Sequence, residues 1–190
     1  MSRIAINGFG RIGRIFFRQA YGVPGLDIVA INDLGDLENL AYLLKYDTVY
    51  GRFAKDVQVQ GTNLVIDGKP IPYSQQKDAS ALPWRQLGVD IVVESTGVFE
   101  SFEKAKVHLD AGAKRVVITA PAKDADGTLG RTVLVGINEG KLKELPISST
   151  ASCTTNAAAP VISVLSQNPG IAKAMLNTVH AYTATQSIVD

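Results

Sequence analysis

The fold of this chain is decided near its start by Ile4-Ala5-Ile6-Asn7-Gly8-Phe9-Gly10-Arg11-Ile12-Gly13-Arg14, a short apolar stretch followed by three spaced glycines and a helical pattern. In this order the glycines have separate roles. Gly8 permits a tight turn, Gly10 lets a ligand approach the backbone, and Gly13 lets the helix pack closely on the strand. The helix then directs its N-terminal amides and the positive end of its dipole at the ligand. We therefore predict a turn that binds a pyrophosphate.

An acidic residue strengthens this interpretation. Asp33 lies 20 residues after Gly13, at the end of a second apolar stretch, Ile28-Val29-Ala30-Ile31. A carboxylate at this spacing is placed to accept a hydrogen bond from a ribose 2′-hydroxyl. The alternative is a plain tight turn at the glycines and a strand-end cap at Asp33. We prefer dinucleotide binding because the strand, the glycines, the helix and the acid occur together.

Strand and helix patterns alternate along the chain, which favours an α/β fold of Rossmann type with a doubly wound, mostly parallel sheet. Strands are predicted over 3–7, 27–32, 89–94, 115–119, 132–137 and 146–149, and helices over 11–21, 37–44 and 101–111. Short antiparallel strands are predicted within 53–72, with a hairpin turn at Asp67-Gly68, and a short helix is predicted to start at Trp84. Residues 1–150 would form one complete dinucleotide-binding domain, and residues 151–190 would begin a separate domain of a different kind.

Composition and charge argue against several classes of partner. The formal net charge is only +1, which gives no electrostatic case for binding nucleic acid or an anionic membrane surface. No apolar run approaches the length needed to cross a bilayer. The single cysteine forbids an internal disulfide, which fits a reducing compartment. We predict a cytoplasmic protein without nucleic-acid or membrane partners, and no metal site.

The sole cysteine, Cys153, follows a predicted strand and precedes the apolar run 157–165. Ser152 is a candidate helix N-cap, which would place Cys153 in the first turn, where the helix dipole favours the thiolate. Pro160 predicts a kink, or a break into a second segment that ends near 167–170. A lone cysteine can also be a small buried hydrophobic residue, but its polar neighbours at 152 and 154–156 argue against that.

Two histidines are present. His180 lies in the strand-like alternation 177–186, and His108 lies in the predicted helix 101–111, where we expect a structural or surface role. An imidazole next to a thiol accepts its proton or stabilises the resulting ion pair. Cys153 and His180 are therefore a candidate pair, although spacing alone does not show that they meet.

Ligands of doubly wound sheets bind outside the carboxyl ends of the strands. The predicted strand 89–94 ends in Ser95-Thr96-Gly97. These hydroxyl groups can contact a cofactor, or they can serve only to cap the turn, and the sequence leaves both possibilities open.

Over its whole length the chain resembles the phosphorylating glyceraldehyde-3-phosphate dehydrogenase family. The strings that carry the resemblance are I-N-G-F-G-R-I-G-R, A-I-N-D-L, L-L-K-Y-D-T-V-Y-G, V-E-S-T-G-V-F, A-S-C-T-T-N and T-V-H-A-Y-T-A-T-Q. The resemblance implies NAD as cofactor, with contacts from Gly8, Gly10, Arg11, Ile12, Gly13, Asp33, Thr96 and Thr119. It implies Cys153 as nucleophile and His180 as base, and phosphate binding by Ser152, Thr154 and Thr183.

The implied reaction is the glycolytic oxidation of D-glyceraldehyde 3-phosphate by NAD+ with inorganic phosphate, through a hemithioacetal and a thioester on Cys153, to 1,3-bisphosphoglycerate. A complete chain is expected to form a homotetramer. Relatives of this kind are longer, so we expect 151–190 to be only the start of a mixed α+β catalytic domain, and the 190-residue form to lack full activity. The alternatives are an erythrose-4-phosphate dehydrogenase and a catalytically silent NAD-binding fragment.

Overall fold

The computed structural model of this chain describes residues 1–182 and divides into two units, Met1–Ala151 and Ser152–Asp190. The helices of the first unit are α1 (Arg11–Ala20), α2 (Leu37–Lys45) and α3 (Phe102–Asp110), with 3₁₀ turns at Ala79–Ala81 and Glu139–Lys143. Its strands are β1 (Ser2–Asn7), β2 (Leu26–Asn32), β3 (Tyr46–Asp47), β4 (Gly51–Arg52), β5 (Val57–Gln60), β6 (Asn63–Ile66), β7 (Lys69–Ser74), β8 (Ile91–Glu94), β9 (Arg115–Ile118), β10 (Gly130–Thr132) and β11 (Ile147–Ser149).

Nine of these strands form one sheet in the order β10-β11-β9-β8-β1-β2-β7-β6-β5, and β3 pairs only with β4. The strands from β10 to β7 in this order pair in parallel, whereas β5, β6 and β7 are antiparallel neighbours. The chain moves from β1 to β2 on one side and later returns to β8 on the other. The order therefore reverses at β1, and a crevice is expected outside the carboxyl ends of β1 and β8. The prediction of a Rossmann-type α/β fold is confirmed.

Strand β1 shows why the sheet is buried on both faces. Successive side chains of a strand point to opposite faces. Ile6 joins the cluster that contains Phe17 of α1, whereas its neighbour Ala5 joins the cluster that contains Phe102 of α3. Both β1 side chains are fully buried, as expected for a parallel sheet covered by helices on each side.

The hairpin predicted at Asp67-Gly68 is confirmed. Ile66 pairs with Lys69 across the turn, and φ is +50° at Asp67 and +81° at Gly68. Positive φ at both central residues is what a two-residue hairpin of type I′ requires.

Two predicted elements of the first unit are wrong. No helix starts at Trp84, because residues 84–88 form a turn: the N–H of Leu87 donates to the carbonyl of Pro83 at 2.9 Å and that of Gly88 to the carbonyl of Arg85 at 3.1 Å. The strand predicted over 132–137 is the shorter β10, since residues 135–138 form a turn. The carboxamide oxygen of Asn138 accepts from the N–H of Leu134 at 2.7 Å and closes that turn.

Within its described residues, 152–182, the second unit contains one helix, α4 (Cys153–Gln167). Its N-cap is Ser152, whose hydroxyl oxygen accepts from the N–H of Thr155 at 3.0 Å, as predicted. The break predicted at Pro160 is wrong, because α4 continues through it as one element of 15 residues. A proline removes one backbone hydrogen bond, and a helix of this length retains the bonds on either side.

The strand predicted over 177–186 is wrong as far as it is described, since residues 171–182 contain neither strand nor helix. A strand requires a neighbour that supplies its ladder of hydrogen bonds, and none of the described strands pairs with this segment. Thr183, a predicted phosphate ligand, lies outside the described residues. In the described part of the chain, no helix has the length and apolar character to cross a membrane.

Candidate functional site

The glycine turn between β1 and α1 has two close approaches of backbone, at Gly8 and Gly13, and one open position, at Gly10. Gly8 has φ of +92°, and a Cβ atom there would lie 2.6 Å from the backbone of Ser95 and Thr96. At Gly13 a Cβ atom would lie 2.1 Å from the carbonyl oxygen of Gly8, so α1 rests directly on the turn. At Gly10 nothing lies within 4 Å of the Cβ position. The three glycines thus have the three roles expected from the sequence: turn, open approach and close helix packing.

A cavity of about 380 Å³ opens beside this turn. Four of the residues predicted to bind a cofactor line it: Gly8, Gly10, Asp33 and Thr96. The other lining residues are Asn7, Asn32, Leu34, Gln76, Lys77, Ala79, Ser95, Val98 and Phe99. It lies where the ends of β1, β2 and β8 meet, which is the place that the reversal of strand order predicts.

The carboxylate of Asp33 ties the end of β2 to the glycine turn. Oδ2 accepts from the N–H of Phe9 at 2.5 Å, and Oδ1 accepts from the N–H of Gly35 at 2.7 Å. Asp33 is therefore a strand-end cap, which was the alternative interpretation of its role, and it also lines the cavity. Each carboxylate oxygen has a second lone pair, so these two bonds leave acceptor capacity for a ribose hydroxyl.

The remaining predicted cofactor residues do not line this cavity. Arg11 and Ile12 are exposed in the first turn of α1, and Nη1 of Arg11 lies 3.9 Å from a carboxylate oxygen of Asp47. Thr119 follows β9, and its N–H and hydroxyl both donate to the carbonyl oxygen of Glu94, at 2.9 and 3.1 Å. Thr96, in contrast, lines the cavity, and its N–H donates to the side chain of Glu94 rather than to the backbone carbonyl of that residue.

The turn and the cavity fit a dinucleotide. The N-cap of helix α1 is Gly10, which has no side chain to cap the helix, and the first turn contains no acidic residue. Its first N–H groups have no partner within the helix, so they are left for an anion such as a pyrophosphate. The open space at Gly10 lets that anion approach, and Asp33 lines the same cavity.

The second unit brings together the predicted catalytic pair. Sγ of Cys153 lies 3.2 Å from Nε2 of His180. The other ring nitrogen, Nδ1, lies 2.5 Å from the carbonyl oxygen of Ala181. A carbonyl only accepts, so Nδ1 carries a proton, and Nε2 is free either to accept the thiol proton or to donate to the thiolate.

This contact changes the acidity of both groups. Hydrogen bonding to His180 holds the pKa of the exposed Cys153 thiol below its ordinary value, and the helix backbone at Thr154 lowers that pKa further. The pKa of His180 is raised, first by its bond to the carbonyl of Ala181 and then by Cys153. The pair therefore favours thiolate and imidazolium, the form in which sulfur is a nucleophile.

Hydroxyl groups cluster at the start of α4. The hydroxyl of Ser152 lies 2.9 Å from that of Thr154 and 2.7 Å from that of Thr155. Ser152 and Thr154 are two of the three predicted phosphate ligands; the third is Thr183. Among the residues that the structure describes, no group of His, Cys, Asp or Glu could hold a metal ion.

Sequence reasoning missed the polar side chains of the cavity wall. Asn7, Asn32 and Gln76 line the cavity, and the first two are buried. One signal was available, because Asn7 and Asn32 each end a strand of the parallel sheet, where ligands bind. Gln76 follows β7, which was interpreted as part of an antiparallel decoration rather than as a parallel neighbour of β2.

Together the glycine turn and its cavity are typical of a dinucleotide-binding α/β protein, and this chain also pairs a thiol with a histidine. Residues 2–102 match the family model for the glyceraldehyde 3-phosphate dehydrogenase NAD binding domain, and residues 152–190 match that for the C-terminal domain. The chain therefore belongs to the glyceraldehyde-3-phosphate dehydrogenase family, and its cofactor is NAD.

Curated relatives support the same assignment. Glyceraldehyde-3-phosphate dehydrogenase of Thermotoga maritima is 52% identical over 100% of this chain and 57% of the relative. That of Geobacillus stearothermophilus is 50% identical over 99% of this chain and 56% of the relative. A relative from Trypanosoma brucei brucei is 48% identical over 99% of this chain and 56% of the relative, and it is described as cytosolic. The chain thus spans a little over half the length of the relatives that it matches.

Proposed function

We propose that the chain provides the NAD-binding part and the start of the catalytic part of an oxidoreductase that converts D-glyceraldehyde 3-phosphate to 1,3-bisphosphoglycerate. The observation that carries this proposal is the 3.2 Å contact between Cys153 and His180 in a chain of this family. The division into a cofactor domain (1–150) and the start of a catalytic domain (151–190) belongs to the same proposal.

In the proposed reaction Cys153 acts as the nucleophile. Its thiolate adds to the aldehyde carbon and forms a carbon–sulfur bond, while the carbonyl oxygen takes up a proton to give a hemithioacetal. His180 then accepts that proton as the carbon is oxidised, and a thioester remains on Cys153. The NAD bound to the chain supplies the hydride acceptor for this oxidation. Inorganic phosphate attacks the thioester, the carbon–sulfur bond breaks, and the acyl phosphate leaves.

The cofactor is proposed to bind along the glycine turn and the adjoining cavity. Gly8, Gly10 and Gly13 shape the turn, and the first amides of α1, at Arg11 and Ile12, face its pyrophosphate. Asp33 accepts from the ribose hydroxyls and disfavours a 2′-phosphate by charge repulsion. Thr96 contacts the dinucleotide from the end of β8, and Thr119 supports the same edge of the sheet through its bonds to the Glu94 carbonyl.

The substrate and product phosphates are proposed to bind near the start of α4. Ser152 and Thr154 present hydroxyl groups there, next to helix amides that favour anions, and Thr183 is the third proposed ligand. A homotetramer and a cytoplasmic location are proposed for the complete protein, without nucleic-acid or membrane partners.

The test is the formation of NADH by the natural polypeptide supplied with glyceraldehyde 3-phosphate, NAD+ and phosphate. We expect turnover that requires phosphate and is abolished in the Cys153→Ser variant, with Ser166→Ala, a change at an exposed position of α4, as the control that keeps the thiol. Faster turnover of erythrose 4-phosphate would replace the proposed substrate by that aldose. No turnover of either aldose by a correctly folded polypeptide would overturn the proposed activity.

A second candidate is a catalytically silent NAD-binding fragment, in which Cys153 would be an ordinary exposed thiol. Alkylation of Cys153 by iodoacetamide near neutral pH separates the two. A rate well above that of free cysteine supports an activated thiol, and a rate equal to it supports the silent fragment.

A further inference from the structure

A buried network of hydrogen-bonded side chains lies behind the wall of the cavity proposed to bind NAD, and it has no part in the function proposed above. It consists of Glu94 at the end of β8, His108 on α3, and Trp84, which are 2%, 0% and 1% exposed. A buried carboxylate is costly unless it is fully hydrogen-bonded. The contacts of Glu94 therefore indicate which residues this hydrogen-bond network holds in place.

Glu94 accepts four hydrogen bonds. Its Oε1 accepts from the backbone N–H of Thr96 at 2.8 Å and from the hydroxyl of the same residue. Its Oε2 accepts from Nδ2 of Asn7 at 2.6 Å and lies 2.9 Å from Nε2 of His108. Two oxygens of an ionised carboxylate offer about four acceptor positions, so these donors use its whole capacity.

The indole of Trp84 decides how the His108 ring is protonated. Its N–H lies 3.2 Å from Nδ1 of His108, and an indole nitrogen only donates. Nδ1 must therefore accept, which leaves the single proton of the neutral ring on Nε2. From there the ring donates to Glu94, and both ring nitrogens have partners.

On the side of Glu94 that faces away from His108, the hydrogen-bond network reaches the cavity. Thr96 and Asn7, which bond the Glu94 carboxylate, both line it. The side-chain oxygen of Asn7 accepts from Nδ2 of Asn32 at 2.8 Å, and Asn32 is a third lining residue. The carboxylate thus fixes two wall residues directly and a third through Asn7.

We propose that Glu94 and His108 are positioning residues for NAD: His108, held by Trp84 as the Nε2-protonated ring, orients the Glu94 carboxylate, and the carboxylate fixes Thr96 and Asn7 against the cofactor. This inference rests on the proposed assignment of the cavity to NAD. Neither residue touches the cofactor in this scheme, so their substitution changes binding through the geometry of the wall.

The Glu94→Gln substitution tests the charge and the acceptor pattern with little change in shape. Every neighbour of both carboxylate oxygens is positioned to donate. In one orientation of the new amide, its NH₂ group faces the N–H of Thr96; in the other, it faces the donor groups of Asn7 and His108. In both orientations a donor therefore faces a donor. The matched control is Glu103→Gln, the same change at an exposed position on α3.

The measurement is the dissociation constant of NAD+ by titration calorimetry, at a temperature where circular dichroism shows each variant to be folded. Unpaired buried donors have a large energetic cost, so we expect Glu94→Gln to weaken NAD+ binding roughly tenfold or more. Glu103→Gln should bind like the parent chain. A lower melting temperature with unchanged NAD+ affinity would indicate a merely structural role and would overturn the inference.

A second measurement does not depend on the variant folding. Nitrogen-15 NMR of the parent chain reports which nitrogen of His108 carries the proton, and we expect Nε2. A ring protonated at Nδ1 would overturn the inference. If the parent chain binds no NAD+, the proposed cofactor site fails as well. If the parent binds NAD+ and Glu94→Gln binds it equally well, only the positioning role fails.

Discussion

Cys153 Sγ lies 3.2 Å from Nε2 of His180, although 27 residues separate them in the chain. The proton on the far nitrogen of that ring is fixed by the carbonyl of Ala181, so the near nitrogen always faces the sulfur. Of the groups that lower the pKa of the Cys153 thiol, His180 has the largest effect, and this sets the sign of the first prediction.

The His180→Ala substitution is expected to move the alkylation profile of Cys153 to higher pH. The His180 contact lowers the thiol pKa, so in the parent chain the reactive thiolate persists at lower pH than in free cysteine. Without the ring the pKa returns upward, and the rate near neutral pH falls roughly tenfold. The measurement is the rate of iodoacetamide labelling against pH. Lys173→Ala, which removes a cation from the same unit, should leave the profile unchanged, and equal profiles for His180→Ala and parent would refute the pairing.

Two glycine substitutions are expected to separate folding from cofactor binding. A Cβ atom at residue 13 would meet the carbonyl oxygen of Gly8 at 2.1 Å, whereas at residue 10 it meets nothing within 4 Å. We expect Gly13→Ala to lower the free energy of unfolding by about 3 kcal/mol, and Gly10→Ala by at most about 1 kcal/mol.

Gly10→Ala should nevertheless weaken NAD+ binding, because the added methyl group occupies the approach to the α1 amides. Denaturant titration and calorimetry on the two variants check this pair. Unchanged NAD+ affinity in Gly10→Ala would exclude the proposed approach of the pyrophosphate.

Asp33→Asn is expected to relax the preference for NAD+ over NADP+. The carboxylate lines the cavity, and its charge opposes a 2′-phosphate. The neutral amide removes the repulsion, but its NH₂ group faces the N–H of Phe9 or of Gly35. That cost weakens the binding of both cofactors, so the ratio of the two dissociation constants should still move toward NADP+ by roughly tenfold. Glu38→Gln, an exposed change on α2, serves as the control. A ratio that does not change would argue that Asp33 does not face the ribose.

Tyr73→Phe is expected to loosen the loop that carries Asp33. The phenol oxygen of Tyr73 lies 2.8 Å from the carbonyl oxygen of Asp33 and also bonds that of Gly35. Burial raises its pKa to about 12, so it stays a neutral donor across the range of ordinary assays. Loss of this bond should cost about 1 kcal/mol of unfolding free energy and weaken NAD+ binding a few-fold. Thermal melts and calorimetry measure the two effects, with exposed Tyr42→Phe as the comparison; a variant equal to that comparison would contradict the prediction.

Local sequence patterns predicted those parts of the fold and of the candidate site whose conformation depends on residues adjacent in the sequence. The glycine turn, the hairpin at Asp67-Gly68 and the Ser152 cap each require a particular backbone conformation over a few positions, and residue identity sets that conformation directly. The same local logic failed at 132–137, where the Asn138 side chain accepts from the N–H of Leu134 and donates to the carbonyl of Thr132, which favours a turn over a strand.

The buried hydrogen-bond network at Glu94 could not be predicted from neighbouring residues in the sequence, because the sheet brings its members together. Glu94 and Asn7 are 87 residues apart, and they bond because β1 and β8 are neighbours with these two positions in register. The sequence placed His108 on a helix but gave no sign of which residues its face would meet. Parallel pairing, rather than any motif, creates these contacts.

The contact of α1 with the Gly8 carbonyl has a consequence for how this chain can diverge. Main chain meets main chain there, so no compensating change in a neighbouring side chain can make room for a larger residue. At the Asp33 side of the same cavity, a side chain rather than main chain faces the open space. Under the proposed binding mode, coenzyme preference can therefore change through one side chain, whereas the turn at the phosphates cannot change in this way.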